Sequence, residues 1–212
     1  MRQRGAGGRL KAAAWGTALG GVALVVSAVA LFFVTHRGVI VMGQSMEPTY
    51  RQGEQLVVES DVDPDGIRRG DVLLVLVPER YRNAPVLQRV VGTGGDHVVS
   101  DGERVTVNGE PLDEPYVKEE RLPSSLEPYD VRVPEGRLFL LGDNRANAND
   151  SRFFLDERSG SVATSAVLGR VREGLPPAVT TTGALGAVLV LAGAVLGIVA
   201  GRRSRGSLRA AV

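Results

Sequence analysis

The chain has 212 residues, a formal net charge of +1, no cysteine and two histidines. Disulfides and thiolate metal centres are excluded, and His36 and His97 are too far apart in sequence to suggest a zinc site. Residues 1–11 and the stretch from 201 onward carry eight of the 25 cations and no acid; the other 17 face 24 acids, so the middle sits near −7 and nucleic acid is not the expected partner.

Residues 1–11 hold Arg2, Arg4, Arg9 and Lys11 and read as a basic cytoplasmic flank. Residues 12–35 follow as a transmembrane helix. The run from Ala12 to Val34 has no charged residue, and roughly 20 apolar residues suffice to cross a bilayer. A cleavable signal peptide would share the charged start and the small-x-small pattern Ala28-Val29-Ala30. However, the apolar run continues through Leu31, Phe32 and Phe33, beyond a signal core of about 7–15 residues, so we read an uncleaved anchor.

Residues 36–177 read mainly as short strands. "DVLLVLVP" (71–78), "VLQRVVG" (86–92) and "RLFLLGD" (137–143) are rich in branched apolar residues and bounded by Gly, Pro or Asp. "HVVSDGERVTVNGE" (97–110) predicts a hairpin turning at Asp101-Gly102, with a further turn at Asn108-Gly109. Residues 113–130 mix prolines and acids and predict an exposed loop, and 171–177 a breaker-rich lead into the next helix. Gly94, Gly95 and Gly142 are expected to form turns, and Asp71 and Asp143 to hydrogen-bond at sheet ends. The expected fold is mainly β, a partly closed barrel-like domain flanked by N- and C-terminal transmembrane helices. The second span is 178–201, uncharged and followed by the basic tail 202–212 with Arg202, Arg203, Arg205 and Arg209. Basic flanks place both termini in the cytoplasm and the β domain outside.

Four stretches then line up beyond the first span: "SMEPT" (45–49), "RRGDVLLV" (68–75), "QRVVGTGGD" (88–96) and "GDNRANANDSR" (142–152). In order and spacing they resemble the type I signal peptidases, membrane-bound serine endopeptidases; two spans are similar to Gram-positive, actinobacterial-type members. The resemblance implies a bacterial plasma-membrane protein whose partners are signal peptides of exported precursors and the lipid bilayer. It implies no cofactor, metal or nucleic acid. It puts the nucleophile at Ser45, whose own backbone N–H would help hold the oxyanion, and structural support at Asp143, Asp150, Arg152 and Arg89. Gly43 matches members with no side-chain hydroxyl donor two residues before the serine.

Two positions depart from the family pattern. The family general base is a lysine, and Gln88 occupies its place; a carboxamide has no useful basicity, and the neighbouring Arg89 guanidinium stays protonated. Ala148 stands where the family serine orients that lysine. Gln88 is expected close to Ser45. Lys118, flanked by Glu119 and Glu120, and His97, nine residues past Gln88, are weak substitutes for the base. His36 is expected to face lipid headgroups. Two functions stay open: a signal-peptide endopeptidase with an unidentified base, or an inactive homologue that binds signal peptides or partners an active signal peptidase or the export machinery.

Overall fold

The computed structural model describes residues 4–117, 127–172, 174 and 177–209. The chain divides into two compact units, one formed by its two ends and one spanning His36–Glu173. The first is a pair of long helices, α1 (Arg4–Thr35) and α3 (Pro177–Arg209). Within them Gly8–Thr35 and Pro177–Arg202 are long and apolar enough to cross a membrane. Small residues let the two backbones meet. A Cβ on Gly21 would lie 2.6 Å from the Gly186 carbonyl oxygen, and one on Gly193 would lie 2.7 Å from Ala18 N. Ala14, Ala28 and Ala200 are buried. Apolar side chains gain little by leaving lipid, so close backbone packing is what joins such helices.

Among the described residues, the second unit holds eleven strands in two antiparallel sheets. The larger runs β1 (His36–Ile40), β2 (Gln55–Glu59), β11 (Val167–Val171), β3 (Val72–Val75), β4 (Val86–Thr93), β9 (Arg137–Leu141) and β10 (Val162–Ala163). It curls into a half-barrel open at β1 and β10, the partly closed architecture expected. The smaller orders β7 (Glu110–Pro111), β6 (Val105–Val107), β5 (His97–Ser100) and β8 (Tyr129–Arg132). The predicted hairpin is β5–β6, and Asn108 and Gly109 both take positive φ, 55° and 86°, as the tight turn into β7 requires.

Strand β9 reads as an unbroken apolar run because both of its faces are buried. Leu138 and Leu140 enter one core with Leu73, Val75 and Val90; Phe139 and Leu141 enter another with Val91, Val98 and Val131. Successive side chains in a strand point to opposite faces, so a strand between two cores needs no polar alternation.

Four expectations are corrected. The run 71–78 yields only β3, because Pro78, which lacks an amide hydrogen, opens the short helix α2 (Pro78–Tyr81). Residues 113–130 are not one exposed loop. Residues 127 onward lead into β8, Glu114 and Tyr116 are partly buried, and 118–126, with Lys118, lie outside the described residues. The lead 171–177 begins a residue late, since Val171 ends β11. His36 opens β1 in register with Glu59 and is buried, so it is not an open headgroup-facing ring.

Candidate active site

Ser45 sits in the irregular turn between β1 and β2, half-buried, beside Met46, which is 1% exposed. Met46 packs with Val41, Leu56, Val72 and Leu87. That apolar anchor fixes the turn while the serine stays at the surface. The turn is also tied to the segment after β9. Asn144 N donates to the Ser45 carbonyl at 2.9 Å, Asn144 Nδ2 to the Gln44 carbonyl at 3.2 Å, and Thr49 Oγ1 to Asp143 Oδ2 at 2.5 Å. No described group bonds the Ser45 hydroxyl or accepts from its backbone N–H.

Gly142 makes this approach possible by its size, not by a turn. Its φ is not positive; a Cβ there would collide with Ala148 Cβ and lie 2.7 Å from the Ser45 carbonyl oxygen. The turn-forming expectation for Gly142 is thereby corrected. Ala148 and Ser45 thus flank one glycine.

Gln88 and Arg89 are neighbours on β4 and leave it on opposite faces. Gln88 is 2% exposed, and its Nε2 donates to the Asn149 carbonyl at 2.8 Å and to Tyr81 Oη at 3.2 Å. It therefore lies against the residue after Ala148, but no hydrogen bond joins it to Ser45 among the described residues. Burial, ahead of every other influence, pushes the Tyr81 phenol above its ordinary value. Tyr81 stays protonated near neutral pH and is no substitute base. His97 lies on the smaller sheet with its ring Nε2 2.6 Å from Asp130 Oδ1, committed to a different partner.

Arg89 forms a fork on Asp143, Nε to Oδ1 at 2.8 Å and Nη2 to Oδ2 at 2.6 Å, and Nη1 donates to the Gly70 carbonyl at 2.9 Å. Burial works against its charge, but Asp143 outweighs it and raises the Arg89 pKa. Asp150, fully buried, accepts from Gly142 N at 3.1 Å and from both Arg152 Nε and Nη2 at 2.8 Å. Arg152 also reaches the Arg145 carbonyl at 2.9 Å. Asp71 accepts from Arg68 N and Arg170 Nη1, a bracing role at the end of β3. Among the described residues no group of three or more His, Asp or Glu is placed to hold a metal ion.

Residues 114–116, read from sequence as part of an exposed loop, form a strap. Glu114 pairs with the nearly buried Arg145, whose Nε donates to the Gly142 carbonyl at 3.0 Å. Tyr116 lies under the Arg89 guanidinium, 4.0 Å from its ring centroid. Residues from a segment that reads as loop thus brace both basic residues that hold the 142–145 turn. Only the aromatic and acid in "EPYV" hinted at partners.

The profile of the family described as signal peptidase, peptidase S26, matches residues 12–174. The chain belongs to the signal peptidase family. Signal peptidase I of Bacillus licheniformis is 36% identical over 123 residues, covering 53% of this chain and 64% of that protein. Signal peptidase I U of Bacillus subtilis (strain 168) is 29% identical, over 56% of this chain and 66% of its own length. The chain spans slightly under two thirds of these two relatives. Signal peptidase I of Bacillus caldolyticus is 33% identical over 161 residues, 69% of this chain and 82% of that protein. A crystal structure of a signal peptidase I from Enterococcus faecalis V583 aligns with 50% of this chain and 97% of its own at 26% identity and a TM-score of 0.42. Signal peptidases of this family are membrane-anchored, and the two apolar helices accord with that.

Proposed function

We propose that this signal peptidase family member binds signal peptides of exported precursors at the Ser45 corner, on the extracytoplasmic side of a bacterial plasma membrane, without cleaving them at a protease's rate. One observation carries the reading. The residue at the general-base position, Gln88, is a carboxamide whose Nε2 is spent on the Asn149 carbonyl and Tyr81 Oη. A hydroxyl is a poor nucleophile unless a group takes its proton, and losing a general base costs about 10²–10⁴-fold in rate. Ala148 supports the reading, since the hydroxyl that would orient a base is missing with it. The ligand would lie as an added strand beside the serine, its backbone giving affinity and its small residues fitting the site.

A second reading, a slow endopeptidase with Ser45 as nucleophile, is favoured by the uncommitted Ser45 N–H and by the intact Asp143, Asp150 and Arg152 support.

A single set of proteins separates the two. The full chain in detergent should retain a model precursor, seen by photocrosslinking to the residues before its cut, and release no mature product. The double variant Gln88→Lys, Ala148→Ser should cleave it, and Ser45→Ala in that background should abolish cleavage. Cleavage by the unaltered chain that is lost in Ser45→Ala would establish the endopeptidase instead. A double variant that crosslinks but stays inert would refute the placement of the base.

A further inference from the structure

On another part of the strand unit, an open groove of about 700 Å³ is lined by Arg80, Arg137, Arg158 and Ser161, with Val77 and Ala166 among its apolar residues. The cationic groups there are unequally committed. Arg80, with a side chain 5% exposed, is spent. Its Nη1 donates to the Gly160 carbonyl at 2.7 Å, its Nε meets Glu157 at 3.3 Å, and its guanidinium lies 4.5 Å over the Phe154 ring. Arg137 has no carboxylate partner among the described residues. It donates from Nε to Ser161 Oγ at 2.8 Å and from Nη2 to the Ser161 carbonyl, leaving Nη1 unused. Arg158 is exposed and likewise unpaired among the described residues. Burial first, then the positive charges of Arg158 and Arg80, hold the Arg137 pKa below its ordinary value. The acids of the lining do not relieve this. Glu157 is taken by Arg80, and Glu79 and Asp156 are exposed and bridge no arginine among the described residues.

The turn presenting Arg158 is built at a cost. Arg158, Ser159 and Gly160 run consecutively through left-handed backbone, φ 50°, 57° and 69°. Non-glycine residues persist there only where their surroundings over-determine them. Here Ser161 N and Oγ both bond the Arg158 carbonyl, Gly160 N bonds the Glu157 carbonyl, and Arg80 bonds the Gly160 carbonyl. A Cβ on Gly160 would collide with the Ser151 carbonyl. Ser161, fully buried, thus fixes both the turn that carries Arg158 and the fork of Arg137.

We propose that this groove binds a phosphate-bearing anion, gripped by the unused Nη1 of Arg137 and the unpaired guanidinium of Arg158, with the charge of Arg80 behind them. A guanidinium presents parallel N–H groups that match phosphate oxygens. The phosphate is either free or part of a phospholipid headgroup.

The experiment uses the full chain in zwitterionic nanodiscs. Inorganic phosphate is titrated by calorimetry against chloride at matched ionic strength, and the titration is repeated as vesicle-derived phosphatidic acid is introduced into the discs. Saturable binding of inorganic phosphate, weakened about tenfold or more in both Arg137→Gln and Arg158→Gln, supports the site, since hydrogen bonds to charged groups are of that strength. Loss of the phosphate signal in phosphatidic acid discs, restored by neither variant, assigns the headgroup as the source; a signal unchanged by the lipid assigns free phosphate. Absence of saturable binding in every disc, or binding equal in the parent and both variants, overturns the proposal. Should Arg137→Gln fail to fold, the exposed Arg158→Gln decides alone.

Discussion

On the proposed reading, Gln88 is the position at which fold and chemistry part. In the fold it is well placed: a buried amide with its donors satisfied by Asn149 and Tyr81. Leaving a buried acceptor unpaired costs about 1–3 kcal/mol. Gln88→Leu should therefore lower the unfolding free energy by that amount, measured by urea denaturation of the full chain in detergent, although leucine is apolar and of similar size. A loss near zero would show that water replaces the amide. Arg89, one residue on, is committed to Asp143, Gly70 and Tyr116. Neighbours on one strand thus serve different ends: one ties β4 to the Asn149 carbonyl, the other holds the turn that meets Ser45.

Among the elements, β2 and β11 are joined in register at Glu59 and Arg170, and Arg172 adds a second contact to the same carboxylate at 2.8 Å. Burial raises the Glu59 pKa, but the hydrogen bonds and charges of Arg172 and Arg170 outweigh it, and the net value falls below the ordinary 4.5. Asp96, which closes the turn from β4 to β5, is likewise held below 3.8: burial raises it, and bonds from Thr93 and Asn108 with the charge of Arg69 lower it further. A depressed carboxylate contributes stability that is complete above its ordinary pKa and is lost as pH falls through the folded-state value. The melting temperature should thus drop between about pH 5 and about pH 3, and Glu59→Gln should flatten part of that slope. An unchanged slope would mean that this pair does not govern acid sensitivity. The helices α1 and α3 invite a geometric test. A Cβ on Gly197 would sit 4.0 Å from Ala14 Cβ, within the range a disulfide spans. Ala14→Cys with Gly197→Cys should crosslink under mild oxidant, and adding Gly186→Leu should suppress it, because a side chain there meets the Gly21 carbonyl and Val25.

For the molecule as a whole, the proposed orientation puts the strand unit outside and the basic flanks in the cytoplasm. The absence of native cysteine makes this directly measurable. Asp113→Cys should react with a membrane-impermeant maleimide on intact bacterial cells, and Ser207→Cys should react only after permeabilisation. Labelling in the reverse order would invert the topology and remove the extracytoplasmic reading of the site. The acidic middle and basic ends suit that arrangement electrostatically, since anionic lipid at the cytoplasmic face attracts Lys and Arg.

Local signals were legible without coordinates. An uncharged run of bilayer length is a property of consecutive residues, as is the Asn108-Gly109 turn. The order of four short motifs pointed to the family, and that residue 88 carries a carboxamide could be read from one letter. What could not be read were relations between distant residues. Glu59 meets Arg170 across 111 positions, Arg145 meets Glu114 across 31, and Gln88 reaches Asn149 across 61. Strands β1, β2, β8 and β11 went unseen for the same reason, because each is defined by a ladder partner and not by its own composition. The chain's chemistry at a position follows from its side chain, whereas the partners that satisfy or frustrate that side chain are chosen by how the sheets close around it.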